Sequence, residues 1–321
     1  MILCCGDALI DMIPATTPQA TRGFTPLPGG AVFNTAISLG RLGVPVEMLT
    51  GMSQDLFGAQ LTRTLTDSNV GTRFNIVNTR PTTLAFVELT DGQASYTFYD
   101  ENSAGRMITP TDLPALTPDI TTLYFGGISL CNIPAADTYL ALAQRETSKC
   151  VIMLDPNIRP GFITDEAAYR TRLSAIFAVA DIIKVSDEDL EWLIPGPADI
   201  MSKLAQLQAG RQAVMILTCG KDGARALLPD GTDVAVSVPP AVVVDTVGAG
   251  DTFNAGVLAH LHSEHSLTKA AIGQLRGARH ACALWGDAVR VAHCRVRVWC
   301  GVGVRCAGTC SRRSRGMRIS M

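Results

Sequence analysis

Short apolar runs alternate with amphipathic stretches through the first two thirds of the chain, and this alternation restricts the fold more than any other feature. Six apolar runs have the length of buried strands and end in a turn or a polar residue; they cover residues 2–10, 44–51, 121–127, 150–156, 180–186 and 213–220. Helical spacing of apolar residues follows over 31–42, 55–68, 134–147, 165–179 and 198–210, with Asp55 as a candidate N-cap. The alternation predicts an α/β fold in which a doubly wound, mostly parallel sheet is covered by helices on both faces.

Two segments interrupt the alternation. Residues 12–28 contain four prolines, and residues 82–99 form two strand-like runs around a Thr-Asp-Gly turn. We expect both to be antiparallel and to form a small β-rich sheet beside the main domain. Such a sheet can serve as a lid that covers a ligand and excludes water. A surface hairpin without that role is the alternative.

The composition predicts a large buried core, because 47% of the 321 residues are hydrophobic and 17% are charged. The length allows one large domain with an insertion or two smaller domains. There is no run of about 18 apolar residues and no signal-peptide pattern at the start, so we expect a cytoplasmic protein that stays out of the membrane. All 29 acidic residues lie at or before Asp287, and an acidic main domain argues against nucleic acid as a partner.

The cysteines favour packing over metal binding. Five of the ten lie in or beside apolar runs, namely Cys4, Cys5, Cys131, Cys150 and Cys219, and no Cys-x-x-Cys pair occurs. Buried, reduced thiols are therefore expected instead of a zinc site or disulfides.

Polar residues at the ends of the predicted strands are candidates for one shared site. In a doubly wound sheet, ligands bind at the carboxyl ends of the strands. This rule brings together residues that are far apart in the sequence: Asp7, Asp11, Asp155, Asn157, Arg159, Lys184, Gly220 and the loop 245–251.

The loop at 245–251, Asp-Thr-Val-Gly-Ala-Gly-Asp, joins an apolar run at 242–244 to a helical stretch. A helix start presents unpaired N–H groups and the positive end of the helix dipole, and small residues let an anion approach them. Gly248, Ala249 and Gly250 therefore suit a phosphate oxygen that gains charge during transfer. Asp251 alone would be an ordinary helix cap, but beside such an anion hole it is a candidate general base for an attacking hydroxyl. The loop lacks the Gly-Lys-Ser/Thr ending of a Walker loop.

A second glycine-containing turn precedes the helix predicted at 31–42. Gly29 and Gly30 let the backbone approach a ligand, and the carboxamide of Asn34 in the first helical turn can donate to and accept from a polyol. A Gly-Gly pair on its own is weak evidence, and a loop constraint is the more ordinary explanation.

Seven strings carry a resemblance to a known family. They are GDALIDMIP at 6–14, GGAVFNTAISLGRLG at 29–43, ASYTFYDENSAGRM at 94–107, TTLYFGGISL at 121–130, DPNIRP at 155–160, KVSDEDLEWL at 184–193 and DTVGAGDTFNAG at 245–256. Together they resemble the ribokinase-like, PfkB-type carbohydrate kinases, and among these the bacterial fructokinases most of all. The resemblance covers about residues 1–289, in family order, and implies a ribokinase-like three-layer fold with a β-rich lid.

The resemblance implies roles for matching residues. Asp251 is similar to the catalytic base, Gly248, Ala249 and Gly250 to the anion hole for the γ-phosphate, and Arg159 to an arginine near the transferred phosphate. An exposed ion pair is the alternative for Arg159. The residues that would bind the sugar are Asp11, Gly29, Gly30, Asn34 and, from the lid, Phe98.

Nucleotide and metal roles are implied as well. The residues on the ATP side would be Lys184, Ser186, Thr218, Gly220, Gly223, Gly248 and Gly250. The family's Asn-x-x-Glu element, which organises magnesium through water, is replaced here by Ser186 and Asp189, so the metal-supporting carboxylate stays open between Asp189 and Glu188. Asp245 and Thr246 resemble residues beside a monovalent-cation site. K⁺ is the weaker inference, whereas ATP chemistry nearly requires Mg²⁺.

The last part of the sequence departs from the family. Residues 290–321 contain eight arginines and four cysteines but no lysine and no acidic residue, and they follow neither a helix nor a strand period. Our hypothesis is that this segment is not the ancestral ending, as after a shift of the reading frame, and that it is a disordered tail without a function. Because relatives continue with a segment that packs over the adenine, such a tail would weaken ATP binding.

The sequence therefore predicts an ATP-dependent sugar kinase that most resembles enzymes converting fructose to fructose 6-phosphate. A kinase for 2-keto-3-deoxygluconate or another sugar is the nearest alternative. An inactive sugar-binding protein, disabled by the altered tail, is the alternative from another class. Homodimer formation through the lid is an expectation taken from the family alone.

Overall fold

The computed structural model describes residues 1–18, 21–90, 93–237, 248–275 and 285–288. Outside these ranges lie the predicted cation-site pair Asp245 and Thr246, the strand-like run 242–244 and the whole segment 290–321. The predictions for those residues stay predictions.

The described residues form fifteen strands and eight helices. The strands are β1 (Ile2–Gly6), β2 (Leu9–Thr16), β3 (Arg22–Gly29), β4 (Val46–Leu49), β5 (Gly51–Ser53), β6 (Val70–Gly71), β7 (Ile76–Asn78), β8 (Leu84–Thr90), β9 (Gln93–Tyr99), β10 (Thr122–Gly126), β11 (Val151–Asp155), β12 (Ile182–Ser186), β13 (Val214–Thr218), β14 (Ala224–Leu227) and β15 (Asp233–Val236). The helices are α1 (Ala31–Arg41), α2 (Leu56–Asp67), α3 (Ala135–Glu146), α4 (Glu166–Val179), α5 (Asp187–Leu193), α6 (Ile200–Gln208), α7 (Ala249–Ser263) and α8 (Lys269–Gln274).

Nine strands form the main sheet, in the order β15-β14-β13-β12-β11-β10-β1-β4-β6. The seven strands from β13 to β6 are parallel, and β14 and β15 continue one edge as antiparallel strands. Parallel strands need burial on both faces, and every residue of β1, β10 and β11 is buried. The carboxyl ends of β1, β10, β11 and β12 consequently lie next to one another at one edge of the sheet.

The core has two halves, one on each face of the main sheet. Because side chains alternate along a strand, Ile2 and Cys4 of β1 belong to one half, whereas Leu3 and Cys5 belong to the other. The first half is completed by α1 and α7, which pack against each other, and the second by α3, α4 and α6. This arrangement confirms the three-layer α/β fold.

Helix α2 begins where local capping predicts. Asp55 accepts a hydrogen bond of 2.7 Å from the Gly58 amide and caps α2, which confirms its predicted role. All five helices predicted from apolar spacing are present within two residues of their expected bounds. The short helix α5 and the strands β14 and β15 were not predicted, because they are short and lie at the edge of the alternating pattern.

The two interrupting segments form one small sheet, in the order β3-β2-β8-β9. The prediction that both are antiparallel holds within each hairpin, but β2 and β8 join the hairpins in parallel, with Ile10 opposite Leu84. The run 2–10 is also not one strand, because the chain leaves the main sheet after Gly6 and Leu9 begins β2 of the small sheet. The lid role of this sheet stays a prediction.

Among the described residues, no helix combines the length and the apolarity that crossing a bilayer requires. Five cysteines in this part of the chain are free, and four of them are buried. Burial raises the pKa of Cys131 to about 12, so this side chain is a packed, protonated thiol.

Candidate active site

Asp251 lies in the first turn of α7 and is almost completely buried, with 7% of its surface exposed. Its Oδ2 accepts a hydrogen bond of 2.9 Å from Nδ2 of Asn34. Burial raises the pKa of Asp251 to about 7, the negative charges of Asp155 and Asp7 act in the same direction, and the bond from Asn34 opposes them. A carboxyl group whose pKa lies near neutral pH is suited to accept a proton from an incoming hydroxyl.

The start of α1 holds the start of α7. Besides the bond from Asn34 to the Asp251 side chain, the hydroxyl of Thr35 shares its single proton between the backbone carbonyl of Asp251 at 3.2 Å and that of Ala31 at 3.1 Å. Two adjacent residues of α1 therefore fix both the backbone and the side chain of Asp251. The Asn34–Asp251 bond brings a residue predicted to bind the sugar into contact with the predicted catalytic base.

The turn before Asp251, residues 248–250, is the predicted anion hole. Gly248 is the N-cap of α7 in the left-handed conformation, with φ of 73°, and no side chain caps the helix from that position. Gly248, Ala249 and Gly250 are each partly exposed, so the N–H groups of the first turn are accessible to a ligand. A Cβ atom placed on Gly250 would lie 3.5 Å from Nζ of Lys184, which puts an ammonium group beside the turn. The turn therefore combines helix N–H groups with a positive charge.

Lys184 belongs to a buried polar network beneath the turn. Its Nζ donates to Oδ2 of Asp155 at 2.9 Å, and the same oxygen accepts 2.7 Å from Nδ2 of Asn254. Asn254 also donates to the hydroxyl of Tyr124 at 2.9 Å. Burial alone would lower the pKa of Lys184, but the charges of Asp155 and Asp189 raise it, so the lysine stays an ammonium ion.

The predicted sugar-binding residues meet at the junction of the two sheets. Gly29 lies against Asp11, and a Cβ on Gly29 would overlap Oδ2 of that carboxylate. Asp11 also shares one face of the small sheet with Phe98, because Asp11 pairs with Ala85 and Ala85 pairs with Phe98 across three strands. Burial, together with the charge of Asp7, raises the pKa of Asp11 to about 6.

Phe98 and Arg159 lie on the same side of the site. The ring of Phe98 packs edge-on against Phe162 at 4.6 Å, and Phe162 ends the short 3₁₀ turn that Arg159 caps. Arg159 is exposed, and its Nη1 donates to the carbonyl of Ile158 at 3.0 Å. Burial raises the pKa of Asp7, and the positive charge of Arg159 opposes that rise.

A small cavity of about 30 Å³ opens between the end of β1 and the small sheet. The polar residues that line it are Asp7, Thr83, Asp100, Arg106, Ser129 and Asn132. Arg106 lies 3.9 Å from Asp100 and donates 3.2 Å to the carbonyl of Ile133, while Asp100 accepts bonds from Thr83 and Ser103. The polar part of the cavity wall is thus hydrogen-bonded within the protein, while Leu9, Ile128 and Ala135 give the rest of the wall an apolar character.

The residues predicted for the ATP side lie at the ends of β12 and β13. Thr218 ends β13, and Gly220 and Gly223 form the turn to β14 with φ of 48° and 100°. A Cβ on Gly223 would overlap the carbonyl of Val236, whereas one on Gly220 would meet open space. Gly223 is therefore required by packing of the hairpin, and Gly220 is the position where a ligand can approach the backbone.

Ser186 and Asp189 form a capping box at the start of α5. The Asp189 amide donates to Oγ of Ser186 at 3.0 Å, and the Asp189 carboxylate accepts from the amides of Ser186 at 3.0 Å and Ile158 at 2.7 Å. Both oxygens of this buried carboxylate are engaged by the backbone, while Glu188 is exposed. In the part of the chain that the structure describes, no group of three or more His, Cys, Asp or Glu side chains is arranged to hold a metal ion.

Comparison with known proteins identifies the family. Residues 1–273 match the family described as pfkB family carbohydrate kinase. The chain belongs to this family. It is therefore a sugar kinase, and the resemblance seen in the seven strings is confirmed.

Several relatives of this pfkB-family chain are fructokinases. The fructokinase of Rhizobium leguminosarum bv. trifolii is 49% identical over 276 residues, 86% of this chain and 84% of the relative. The fructokinase of Klebsiella pneumoniae is 34% identical over 260 residues, 80% of this chain and 82% of the relative. The structure of Xylella fastidiosa fructokinase with bound ATP has a TM-score of 0.81 at 26% identity and covers 91% of this chain and 90% of that one. Vibrio cholerae O395 fructokinase with fructose, ADP and calcium has a TM-score of 0.75 at 26% identity, with 91% and 90% covered.

Sequence reasoning missed three residues of the hydrogen-bond network around Asp155 and Asp251 in this pfkB-family site, namely Thr35, Tyr124 and Asn254. Tyr124 lies in the buried strand β10 between Leu123 and Phe125, and nothing in the sequence of that strand marks its hydroxyl as part of a hydrogen-bond network. Asn254 had a signal, because it follows Asp251 by three residues and shares its helix face. Thr35 follows Asn34 directly and was hidden by the helical pattern that it continues.

Proposed function

We propose that this sugar kinase transfers the γ-phosphoryl group of ATP to the primary hydroxyl of fructose and releases fructose 6-phosphate and ADP. Support comes from the fructokinases of R. leguminosarum and K. pneumoniae, which share 49% and 34% of their aligned residues with this chain. The V. cholerae fructokinase, whose structure contains fructose and ADP, supports the same pair of ligands.

The position of Asp251 carries the proposal. This buried carboxylate is held by Asn34 and lies directly after the open turn 248–250. With its pKa near 7, Asp251 is partly ionised at neutral pH and takes the proton of the sugar hydroxyl as that oxygen attacks phosphorus. The new O–P bond forms as the bond between the γ-phosphorus and the bridging oxygen breaks, and the electron pair leaves with ADP.

The turn 248–250 stabilises the transferred group. Its N–H groups and the positive end of α7 form hydrogen bonds to phosphate oxygens as they gain charge. Lys184 adds a positive charge at the same place, because its Nζ lies beside Gly250. Arg159, which is exposed after the end of β11, supplies a second positive charge.

The remaining residues hold the two substrates. The sugar lies between Asp11, the Gly29–Gly30 turn and Phe98, where a carboxylate accepts hydroxyl protons and an aromatic ring covers the apolar face of a sugar. The ATP side is formed by Ser186, Thr218, Gly220 and Gly223 at the ends of β12 and β13.

Magnesium fits this site as an ion held mainly by the nucleotide. When bound, Mg²⁺ neutralises charge on the phosphates of ATP. The exposed carboxylate of Glu188 is the better protein partner through water, since both oxygens of Asp189 already accept backbone bonds. A K⁺ site at Asp245 and Thr246 remains part of the proposal and lies outside the described residues.

A neutral sugar suits the site better than an acidic one. Asp7 and Asp100 line the small cavity at the end of β1, and Asp11 and Asp251 are close enough to Asp7 for its charge to raise their pKa values. Arg106 in the same wall is directed to Asp100 and to the Ile133 carbonyl. A substrate carboxylate would add a negative charge to this cluster, which disfavours 2-keto-3-deoxygluconate and favours fructose.

The test is a substrate panel in which ATP consumption is measured with fructose, glucose, ribose and 2-keto-3-deoxygluconate. We expect the highest kcat/KM for fructose, and we expect Asp251→Asn to lower kcat by at least roughly a hundredfold, the usual size of a general-base effect. A preference for the sugar acid would contradict the substrate assignment. Near-normal turnover by Asp251→Asn would contradict the mechanism.

The unusual composition of residues 290–321 favours one rival function, a sugar-binding protein without turnover. That rival predicts that fructose raises the melting temperature while ATP neither binds nor is consumed. Isothermal titration with ATP, performed on the full chain, separates the two: measurable ATP affinity supports the kinase, and its absence supports the rival.

We also propose that two copies of the chain pair through the small sheet. Two large side chains, Phe24 and Tyr99, are 47% and 59% exposed on the face of this sheet opposite to Asp11 and Phe98, and both pack against Phe86. Apolar exposure of this kind is typical of surfaces that associate. Analytical ultracentrifugation tests the pairing, and replacing Tyr99 by Glu should yield monomers.

A further inference from the structure

Helix α1, which contacts Asp251 through Asn34 and Thr35, has no N-cap side chain of its own. The N-cap of α1 is Gly30, with φ of 110°, and the first turn of α1 contains no acidic residue. Yet Asn34 and Thr35 of this helix make both contacts to Asp251. An uncapped helix end frays more easily, so another part of the protein has to fix the first turn of α1.

Asp7, the residue after β1, supplies the missing cap from a different element. Its Oδ2 accepts 2.8 Å from the amide of Ala31, the first residue of α1, and its backbone carbonyl accepts 3.2 Å from the amide of Phe33. One residue therefore satisfies two of the open amides at this helix end. The first turn of α1 is bound directly to the end of a central strand of the main sheet.

Two glycines make room for the Asp7 carboxylate. A Cβ on Gly30 would lie 2.9 Å from Oδ2, and a Cβ on Gly127 would overlap Oδ1. Both glycines have positive φ, at 110° and 69°, so side chains are disfavoured there for conformational reasons as well. The other oxygen, Oδ1, is buried and has no hydrogen-bond partner among the described residues. Asp7 also lines the small cavity at the end of β1, so this buried carboxylate is more than a surface helix cap.

We propose that Asp7 is a positioning residue for phosphoryl transfer: it anchors the start of α1, so that Asn34 keeps the Asp251 carboxylate aligned with the attacking hydroxyl. The negative charge of Asp7 also acts on Asp251 directly. The inference rests on the proposed role of Asp251 as the base. It differs from the sugar-binding roles of Asp11, Gly29 and Gly30, because Asp7 acts through α1 and through its electric field.

The electrostatics of the cluster agree with this geometry. Around Asp251, the charges of Asp155 on β11 and of Asp7 raise its pKa, while Asn34 on α1 and Lys184 on β12 lower it. Around Asp7 itself, burial raises the pKa to about 6, and its bonds to the backbone amides and the charge of Arg159 oppose that rise. Asp7 is thus mostly ionised at neutral pH, where Asp251 has to lose its proton.

The experiment compares Asp7→Ala and Asp7→Asn with Asp199→Ala in the full chain. Asp199 caps α6 through the amides of Met201 and Ser202 and is the matched control for loss of a helix cap. We expect Asp7→Ala to lower kcat by roughly a hundredfold with little change in the KM for fructose, because a misplaced base costs turnover. Asp7→Asn keeps an oxygen acceptor for the Ala31 amide and should recover part of kcat. Asp199→Ala should leave kcat unchanged.

The pH profile separates positioning from simple stabilisation. In Asp7→Asn, a negative charge near Asp251 is removed, so the acidic limb of kcat/KM should move to lower pH by about half a unit or more. An unmoved limb would overturn the electrostatic part of the proposal. A rise in KM with unchanged kcat in both Asp7 variants would overturn the positioning role and make Asp7 a sugar ligand instead.

Hydrogen exchange distinguishes a failure of this inference from a failure of the proposed function. We expect faster amide exchange over residues 31–35 in Asp7→Ala and not in Asp199→Ala, whether or not the protein phosphorylates fructose. If the wild type shows no turnover, the proposed function fails, while the exchange result still decides the anchoring. Unchanged exchange in Asp7→Ala would overturn it.

Discussion

Asn34 and Asp251 lie 217 positions apart in the sequence and share a hydrogen bond of 2.9 Å between carboxamide and carboxylate. This bond joins the first turns of α1 and α7, the two helices that cover the same face of the main sheet. A donor to the ionised form of a carboxyl group favours that form. Asn34 therefore partly offsets the burial that holds the Asp251 pKa near 7.

The first prediction concerns Asn34→Ala. Loss of the donor removes an interaction that lowers the pKa of Asp251, so the acidic limb of kcat/KM should move to higher pH, and activity at pH 7 should fall roughly tenfold. The measurement is the pH profile of fructose phosphorylation. Gln206→Ala, an exposed position on α6, serves as the control. A limb that moves to lower pH would rule out Asn34 as the partner of the ionised base.

Asp251 should also shape the pH dependence of stability. Its folded pKa of about 7 exceeds the unfolded value of 3.8, so between these values the native state binds more protons than the unfolded state. The free energy of unfolding must then fall as pH rises through this window. We expect Asp251→Asn to be more stable than the wild type at about pH 8, by on the order of 1–3 kcal/mol, and the difference to vanish near pH 4. Urea unfolding at both pH values measures it, and equal stability at about pH 8 would contradict a penalised buried carboxylate.

Gly29→Ala tests the contact between Gly29 and Asp11. The added Cβ would overlap Oδ2 of Asp11 and displace that carboxylate from the predicted sugar position. Steady-state kinetics should show a KM for fructose raised roughly tenfold and a smaller change in kcat, since the base is untouched. Gly273→Ala, where a Cβ meets open space in α8, is the matched control. If the KM of both variants is normal, Asp11 does not hold the sugar.

Lys184 offers a prediction that separates stability from function. Lys184→Met leaves Asp155 buried without its cation, and loss of one partner of a buried ion pair typically costs about 3–5 kcal/mol. The double variant Lys184→Met with Asp155→Asn should recover much of that stability, because no unpaired charge remains. It should not recover turnover if the ammonium group beside Gly250 stabilises the transferred phosphate. Thermal unfolding and ATP consumption are measured on both variants, and restored turnover in the double variant would remove Lys184 from the mechanism.

Local patterns in the sequence were sufficient for the central strands and the longer helices of the fold. Strand-length apolar runs and helical spacing predicted the central strands and five helices, because burial on two faces or on one face leaves a period in the chain. The same patterns could not show that the run 2–10 divides between two sheets. Nothing local to Asp7 and Ala8 marks the departure of the chain from β1, which depends on where β2 finds its partners β3 and β8.

By itself, the sequence determined which residues are candidates for the site, since the loop before Asp251, the Gly29–Gly30 turn and the seven family strings are contiguous in the chain. Only the tertiary structure decided how they act on one another. The adjacency of β1, β10, β11 and β12 brings Asp7, Tyr124, Asp155 and Lys184 to one edge, and the packing of α1 on α7 places Asn34 against Asp251. The physical reason is that the burial and the pKa of a side chain depend on its neighbours in space. The order of the strands in the sheet determines those neighbours, and a run of consecutive residues does not show that order.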